Sequence, residues 1–485
     1  MKHSREISSF LLIAMLLPLN ACGSNDDAAE SVVETTAATA AVVETEPSRT
    51  PHSLPDTLDF GGDSFHVLHS ADFKRYYFAE EEIGEIMNDA VYDRRIFVEE
   101  TLNVKMTDYL LDGGQIHAEM QKSVMSGDDV YDYSMMHCIA GVADLVTNGY
   151  LYDYRDLPNV DLTAEWWNLA LMEQLSLGDK LTYGVSDIII PNPFVLIFNK
   201  DLIWDLNLDD PYQMVYDGTW TLDNFISLCT AVVSDLDGDG TMTLIDRVGV
   251  MGIDACLYSS FMTGAGQYLT HKGADGKIEM IVNNEKMHTI AEKMLRLAET
   301  PGAAWCTPDE NHPTMDTGRV LFYLGGASYA ESMREVDVEI GILPYPKFDE
   351  AQEEYLMLDW GGLTCVPNTI TNPEMVGAVL ELMSWDSANG VLPAYYDTIL
   401  AGKLARDDDC RNMLELIFDS ITYDIGLNYF GFDAAFNEFL YFIGNKVIGQ
   451  KNADFASIYA KREKSLIRSI EKFYERLEET ENANN

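Results

Sequence analysis

Basic residues are scarce in this chain: 32 Lys and Arg stand against 80 Asp and Glu among 485 residues, a formal net charge of −48. Such a surface repels phosphate backbones and anionic headgroups, which excludes nucleic acid as a partner and leaves a covalent anchor as the only expected contact with a membrane. Catalytic signatures are absent as well. There is no HExxH, GxSxG or GxxxxGK[ST], and no GxGxxG after a strand. Paired carboxylates could in principle hydrolyse a glycoside, but among 80 acids such pairs arise by chance and carry no information. Beyond Cys22 the cysteines are Cys138, Cys229, Cys256, Cys306, Cys365 and Cys410, with no CxxC and no zinc spacing. Export would permit disulfides, yet nothing fixes a pairing, and buried free thiols fit equally well. No run is long enough to span a bilayer, because the most apolar later stretch, Ile188 to Phe198, is interrupted by Pro191, Asn192 and Pro193.

What is present begins at the N-terminus. Lys2 and Arg5 precede an apolar run from Phe10 to Leu19, the layout of a secretory signal peptide over residues 1–21. Leu19-Asn20-Ala21-Cys22-Gly23 resembles a bacterial lipobox, which implies cleavage before Cys22 and a lipid on its thiol; Asn20 departs from the usual small or apolar residue. From Ser24 to Thr57 there is no aromatic residue, and Ser, Thr, Ala, Glu and Pro dominate. That composition cannot bury enough apolar surface to offset ordering, so residues 22–57 are expected to be a flexible tether holding the folded part on the extracellular face of the membrane.

From about Asp63 the pattern alternates between strand and helix. Strands are expected at Phe65 to His69, Val104 to Leu110 and Tyr131 to His137. Between them lie a helix capped by Asn88 and a helix carrying Ile116, Met120 and Val124. Strand, helix, strand, helix, strand implies a parallel sheet with helices on both faces, whose ligands sit at the carboxyl ends of strands. A second series follows the break at Pro191 and Pro193: a helix opened by Thr221, another from Asn284 to Glu299, strands at Val320 to Leu324 and Val338 to Leu343, and a helix from Pro373 to Ser387. A last helix from Phe455 to Leu477 ends the fold. The fold class is therefore α/β in two lobes, with 58–190 plus 362–395 as one lobe and 191–361 plus 396–485 as the other.

Four stretches carry a family resemblance: Phe198-Asn199-Lys200-Asp201-Leu202-Ile203, Gly218-Thr219-Trp220-Thr221-Leu222-Asp223-Asn224-Phe225, Gly318-Arg319-Val320-Leu321-Phe322-Tyr323-Leu324-Gly325-Gly326 and Ile340-Gly341-Ile342-Leu343-Pro344-Tyr345-Pro346-Lys347. In order and spacing they resemble the maltose-binding-like, family 1 extracellular solute-binding proteins. The resemblance implies a type II periplasmic-binding-protein-like fold with its ligand cleft between the lobes, closing by hinge motion. It also implies a sugar or oligosaccharide ligand, ABC permease subunits as partners, a monomer, and no enzymatic activity.

Sugars present hydroxyl edges and apolar C–H faces, so their sites combine aromatic platforms with carboxylates, amides and hydroxyls. Trp360, beside Gly361 and Gly362 at the second crossover, is either such a platform or a packed hinge residue. Tyr329 resembles in position the aromatic that family members stack on sugar. Asp187 is a hydrogen-bond acceptor for sugar hydroxyls or a turn residue, Trp167 a ligand contact or half of a packing pair with Trp166, and His137 a ligand contact or a structural histidine.

One metal motif stands out. Asp235-Leu236-Asp237-Gly238-Asp239-Gly240-Thr241-Met242-Thr243-Leu244-Ile245-Asp246 places oxygens at the EF-hand positions with glycine at the sixth, and Asp instead of Glu at the twelfth. The expected cofactor is one structural Ca2+ held by Asp235, Asp237, Asp239, Thr241 and Asp246; the alternative is a solvated acidic turn. For the whole chain, a glycan sensor or adhesin on the same fold, and a glycoside-active enzyme, remain alternatives to solute capture.

Overall fold

The computed structural model describes residues 50–71, 74–138, 141–178, 180–243, 245–252, 254–306, 315–333, 336–359, 361–399, 408–430 and 433–484. The signal sequence, Cys22, most of the tether and Trp360 lie outside the described residues. In chain order the strands are β1 (Asp63–Ser70), β2 (Val104–Leu111), β3 (Tyr133–His137), β4 (Phe194–Asn199), β5 (Val248–Gly252), β6 (Thr270–Lys272), β7 (Ile278–Met280), β8 (Ala304–Cys306), β9 (Val320–Gly326), β10 (Ile340–Leu343), β11 (Met357–Leu358), β12 (Gly362–Cys365) and β13 (Ile421–Thr422).

Two mixed sheets organise the chain. The first has the order β12-β3-β1-β2, with β1 parallel to β2 and to β3 and β12 antiparallel to β3. The second has the order β10-β4-β9-β5-β8, with β5 parallel to β8 and β9 and β4 antiparallel to β9 and β10. The parallel strands are those joined by helical crossovers within a lobe. The antiparallel β12 is the strand on which the chain returns to the first lobe after building the second.

Local sequence explains the elements that position the site. Met87, Val91, Arg94, Val98 and Leu102 recur on one face of the helix Ile86–Leu102 and are buried against the first sheet's layer. The helix begins earlier than expected: the cap is Glu85, whose carboxylate accepts the Asn88 N–H, and Asn88 lies inside the first turn. The Arg94 guanidinium, fully enclosed, donates to Ser387 Oγ and to the carbonyls of Tyr76 and Tyr77. Ser387 opens a π-helical stretch, Ser387–Val391, that continues the helix Pro373–Asp386 into Leu392–Ile399, so the chain does not break at 387.

In the second lobe Thr221 caps the helix Leu222–Ala231 by accepting the Asn224 N–H, as the sequence predicts. Trp220 beside it is wholly buried, its indole N–H donating to Pro344 O at 2.9 Å and its rings set against Phe225 and Phe322. A tryptophan next to a capping threonine thus gives a core anchor and a helix start in adjacent residues. The final helix is two: Phe455–Ala460 and Glu463–Asn484, parted at Lys461 and Arg462. Packing also starts before the expected end of the tether, since Leu54 is buried and the His52 ring stands edge-on to Trp385 at 5.1 Å. Cys138, Cys229, Cys365 and Cys410 are buried free thiols, and no helix of the described residues is long and apolar enough to cross a membrane.

Candidate functional site

The carboxyl ends of the first sheet lie at His69 and Ser70 on β1 and at His137 on β3, where Gly362 of β12 pairs with His137. In the second sheet Phe194 at the start of β4 pairs with Gly326 at the end of β9. Among the described residues, three segments run between the two sheets at these ends. The first is 190–193, leading into β4; the second is 359–361, leading into β12. The third follows β13, which pairs with β11, and enters the helix Ile425–Phe430, whose Tyr429 hydroxyl donates to Leu175 O of the first lobe.

Tyr329 opens a short helix just past the end of β9, and its ring lies 4.6 Å from that of Tyr323 at an interplanar angle of 33°. Both rings are partly exposed. Gly325 between them is needed, because a Cβ there would stand 2.6 Å from Tyr323 Cε1. The pair is fixed to the first crossover: Ala327 N–H donates to Pro193 O at 2.9 Å and Ser328 N–H to Asn192 Oδ1 at 3.0 Å. Two tilted tyrosine rings at a strand end offer an amphipathic surface. Tyr323 is not among the candidate residues the sequence offers; its alternation with Gly325 on one face of the strand was the available signal.

His137 is half-buried at the matching end of the first lobe, next to Cys138, whose N–H donates to Gly361 O at 3.0 Å. Asp187 is also half-buried, its N–H donating to Trp166 O, three residues ahead of the first crossover. Trp360 lies outside the described residues; its neighbours Asp359 and Gly361 lie in the second crossover. Trp167 is not available to a ligand. It is 5% exposed, and its indole N–H donates to Glu381 Oε2 at 2.8 Å while that of Trp166 donates to Oε1 at 3.1 Å. The tryptophan pair instead solvates a buried carboxylate, whose pKa burial raises despite those donors.

The acidic loop has the expected turn geometry. Gly238 and Gly240 have positive φ, 74° and 81°, and Asp235 accepts the N–H groups of both. Carboxylate oxygens of Asp235, Asp237 and Asp239 lie within 4.8 Å of one another, all three residues exposed. The Asp237 carboxyl is held above its ordinary range: an N–H from Asp239 pulls it down, but the loss of some water around it, the charge of Asp239, the contact with the Asp235 carboxyl and the charge of Asp246 together outweigh that bond. Asp246 does not join the three. It is buried, its oxygens accepting Leu236 N–H at 2.8 Å and Thr243 N–H at 2.7 Å, and it closes the loop from below. Thr241 donates its N–H to Asp239. A hard divalent cation suits the three exposed carboxylates by donor chemistry.

Two open grooves, of about 800 and 740 Å³, lie away from the crossovers. The larger runs between the β6–β7 hairpin and the helix Glu463–Asn484 and is rimmed by Glu279, Glu471, Glu475 and Glu478. Neither gathers the aromatic pair or the strand ends, so the site is placed by strand ends and crossovers rather than by groove volume.

No family model and no curated protein matches the sequence, so the likeness is one of structure. Similar solved structures include the cyclic α-maltosyl-1,6-maltose binding protein of Arthrobacter globiformis, with a TM-score of 0.60 at 15% identity, covering 84% of this chain and 99% of that one. An ABC substrate-binding protein of Listeria monocytogenes in complex with cycloalternan gives 0.58 at 11%, over 84% and 99%. The fold is that of the maltose-binding-like solute-binding proteins. The galacto-N-biose/lacto-N-biose I-binding protein of the Bifidobacterium longum ABC transporter shares this solute-binding fold, with a TM-score of 0.58 at 13% identity over 86% of this chain and 99% of its own. Near-complete coverage of each neighbour means that both lobes and the crossovers belong to the likeness.

Proposed function

We propose that the protein is the lipid-anchored solute-binding component of an ABC importer, and that it captures a sugar or oligosaccharide between its lobes. The observation that carries this reading is the Tyr323–Tyr329 pair at the hinge end of the second lobe, on a fold whose neighbours bind cycloalternan, a cyclic maltosyl-maltose and lacto-N-biose. An aromatic platform takes the apolar face of a pyranose, and His137 and Asp187, at the first-lobe side of the crossovers, supply acceptors for its hydroxyls. The protein returns its ligand unchanged and passes it to permease subunits. Anchoring rests on Cys22, the short apolar run before it and the tether after it.

The loop at 235–246 holds one structural Ca2+ in this reading. Asp235, Asp237 and Asp239 supply carboxylates and the Thr241 carbonyl a further oxygen, while Asp246 shapes the loop. The ion neutralises charges that otherwise repel.

A thermal-shift screen tests the capture reading. Maltotetraose, mannotriose, lacto-N-biose, cycloalternan and D-tagatose are added at millimolar concentration, and at least one raises the melting temperature, because a ligand that binds only the native state stabilises it. No shift with any of them, and none with a wider panel of oligosaccharides, overturns it.

A further inference from the structure

The three crossovers meet at one carboxylate. Asp359 is 2% exposed. Its Oδ1 accepts the N–H of Asn192 in the first crossover at 3.0 Å and that of Gly361 in the second at 3.0 Å. Its Oδ2 accepts the hydroxyl of Tyr423, in the third, at 3.3 Å. The backbones of Pro193 and Asp359 also form a β-bridge.

The same residues reach into both lobes. Asn192 Oδ1 accepts Ser328 N–H beside the tyrosine pair of the second lobe. Cys138, at the end of β3 in the first lobe, donates its N–H to Gly361 O, and its own carbonyl accepts Asn428 Nδ2 of the third crossover at 3.1 Å. Tyr77 of the first lobe lies close by, and the ordinary pKa of its hydroxyl and of that of Tyr423 is raised by burial first of all. Three donors converging on one enclosed carboxyl make that side chain a shared anchor of these three segments.

We propose that Asp359 is a positioning residue that makes the three crossovers move as one hinge, and that it thereby sets how well the cleft closes on its solute; the second half of the statement rests on the solute-capture reading. Separate crossovers would bend independently, giving the open protein a broad range of lobe arrangements of which few are competent to close. Coupled crossovers leave one bending motion. The binding-competent fraction rises with the coupling, and affinity rises with that fraction.

The test places spin labels at Met125→Cys in the first lobe and Trp204→Cys in the second, both exposed, and reads the interlobe distance distribution without ligand. Asp359→Ala broadens it. Tyr423→Phe, which cuts only the third tie, and Asp359→Asn, which keeps an acceptor for the two amides, broaden it less. Should Asp359→Ala fail to fold, those two variants decide. Distributions as narrow as that of the parent protein in every folded variant overturn the proposal. Because no sugar is present, this outcome is independent of what the protein binds. In a second arm the sugar that shifts melting in the parent protein is titrated against Asp359→Asn and Tyr423→Phe, with a loss of at least about threefold in affinity and faster release expected. Unchanged affinity with a broadened distribution overturns the link to closure. A broadened distribution in a protein that binds no sugar keeps the hinge and removes the capture reading.

Discussion

The carboxylate of Asp359 accepts the backbone N–H of Asn192 at 3.0 Å, so the segment by which the chain returns to the first lobe holds the segment by which it left. The two residues are 167 positions apart in sequence. Around that bond the structure sets the strand ends of both lobes and, on the second lobe, the tilted pair of Tyr323 and Tyr329.

If those tyrosines are the platform, removing one costs binding and little else. Tyr329→Ala and Tyr323→Ala each lose about 1 to 3 kcal/mol of ligand affinity, the scale of an aromatic anchor in a binding site. Both rings are partly exposed, so the melting temperature without ligand moves little. Calorimetric titration beside a thermal melt separates the two effects, and normal affinity in both variants would move the site elsewhere.

Chelation of calcium lowers the melting temperature and leaves sugar affinity of the folded protein nearly unchanged. Asp237→Ala reproduces the effect and makes the protein insensitive to chelator. Asp246→Ala is harsher, because it also strips the acceptor from Leu236 and Thr243 N–H. A calcium titration without heat or stabilisation, and with Asp237→Ala unaltered, leaves a solvated turn.

Trp220→Ala destabilises the second lobe by about 3 to 5 kcal/mol, the range for emptying a fully enclosed aromatic position. Trp220→Phe retains most of the packing but leaves Pro344 O without its 2.9 Å donor, a cost of about 1 to 3 kcal/mol. Denaturant unfolding curves measure both; equal midpoints for all three proteins would contradict the packing account.

Asp424, in the third crossover, gives a signature in pH. Burial pushes its carboxyl up to about 6 although Leu269 N–H, Gly426 N–H and Thr270 Oγ1 all donate to it. The folded state then holds a proton that the unfolded chain releases above its ordinary range near 3.8. In that window the unfolded state binds fewer protons, so this group's contribution to stability falls as pH rises from about 4 to about 6, and it is recovered on acidification. The shift is worth at most about 3 kcal/mol. The stability difference between the parent protein and Asp424→Asn therefore grows in favour of the parent as pH falls from 7 to 4. A difference independent of pH contradicts the assignment.

Local patterns were legible in the sequence where local forces decide. Thr221 before an apolar helical stripe is a cap in the structure, and the strands expected at 65–69, 104–110 and 131–137 pair in parallel as predicted, within a sheet that the antiparallel β12 makes mixed. Tyr329 was singled out only by what the family resemblance implies for its position past Gly325 and Gly326. Distant partners were not legible. Trp167 reads as a candidate platform until Glu381, 214 residues away, takes its N–H. Asp359 is one acid among 80, distinguished only by donors from three separate segments. The break at Lys461 and Arg462 was hidden because Tyr459 and Leu466 are buried on either side of it and keep the apolar stripe running.

The most direct test of the account is a calorimetric titration of the folded protein with the oligosaccharide panel, run in parallel on Tyr329→Ala. Saturable one-to-one binding of at least one sugar, with unchanged sugar recovered afterwards and affinity weakened in the variant, is the predicted result. No binding by the parent protein, or binding that Tyr329→Ala and Tyr323→Ala leave intact, contradicts it.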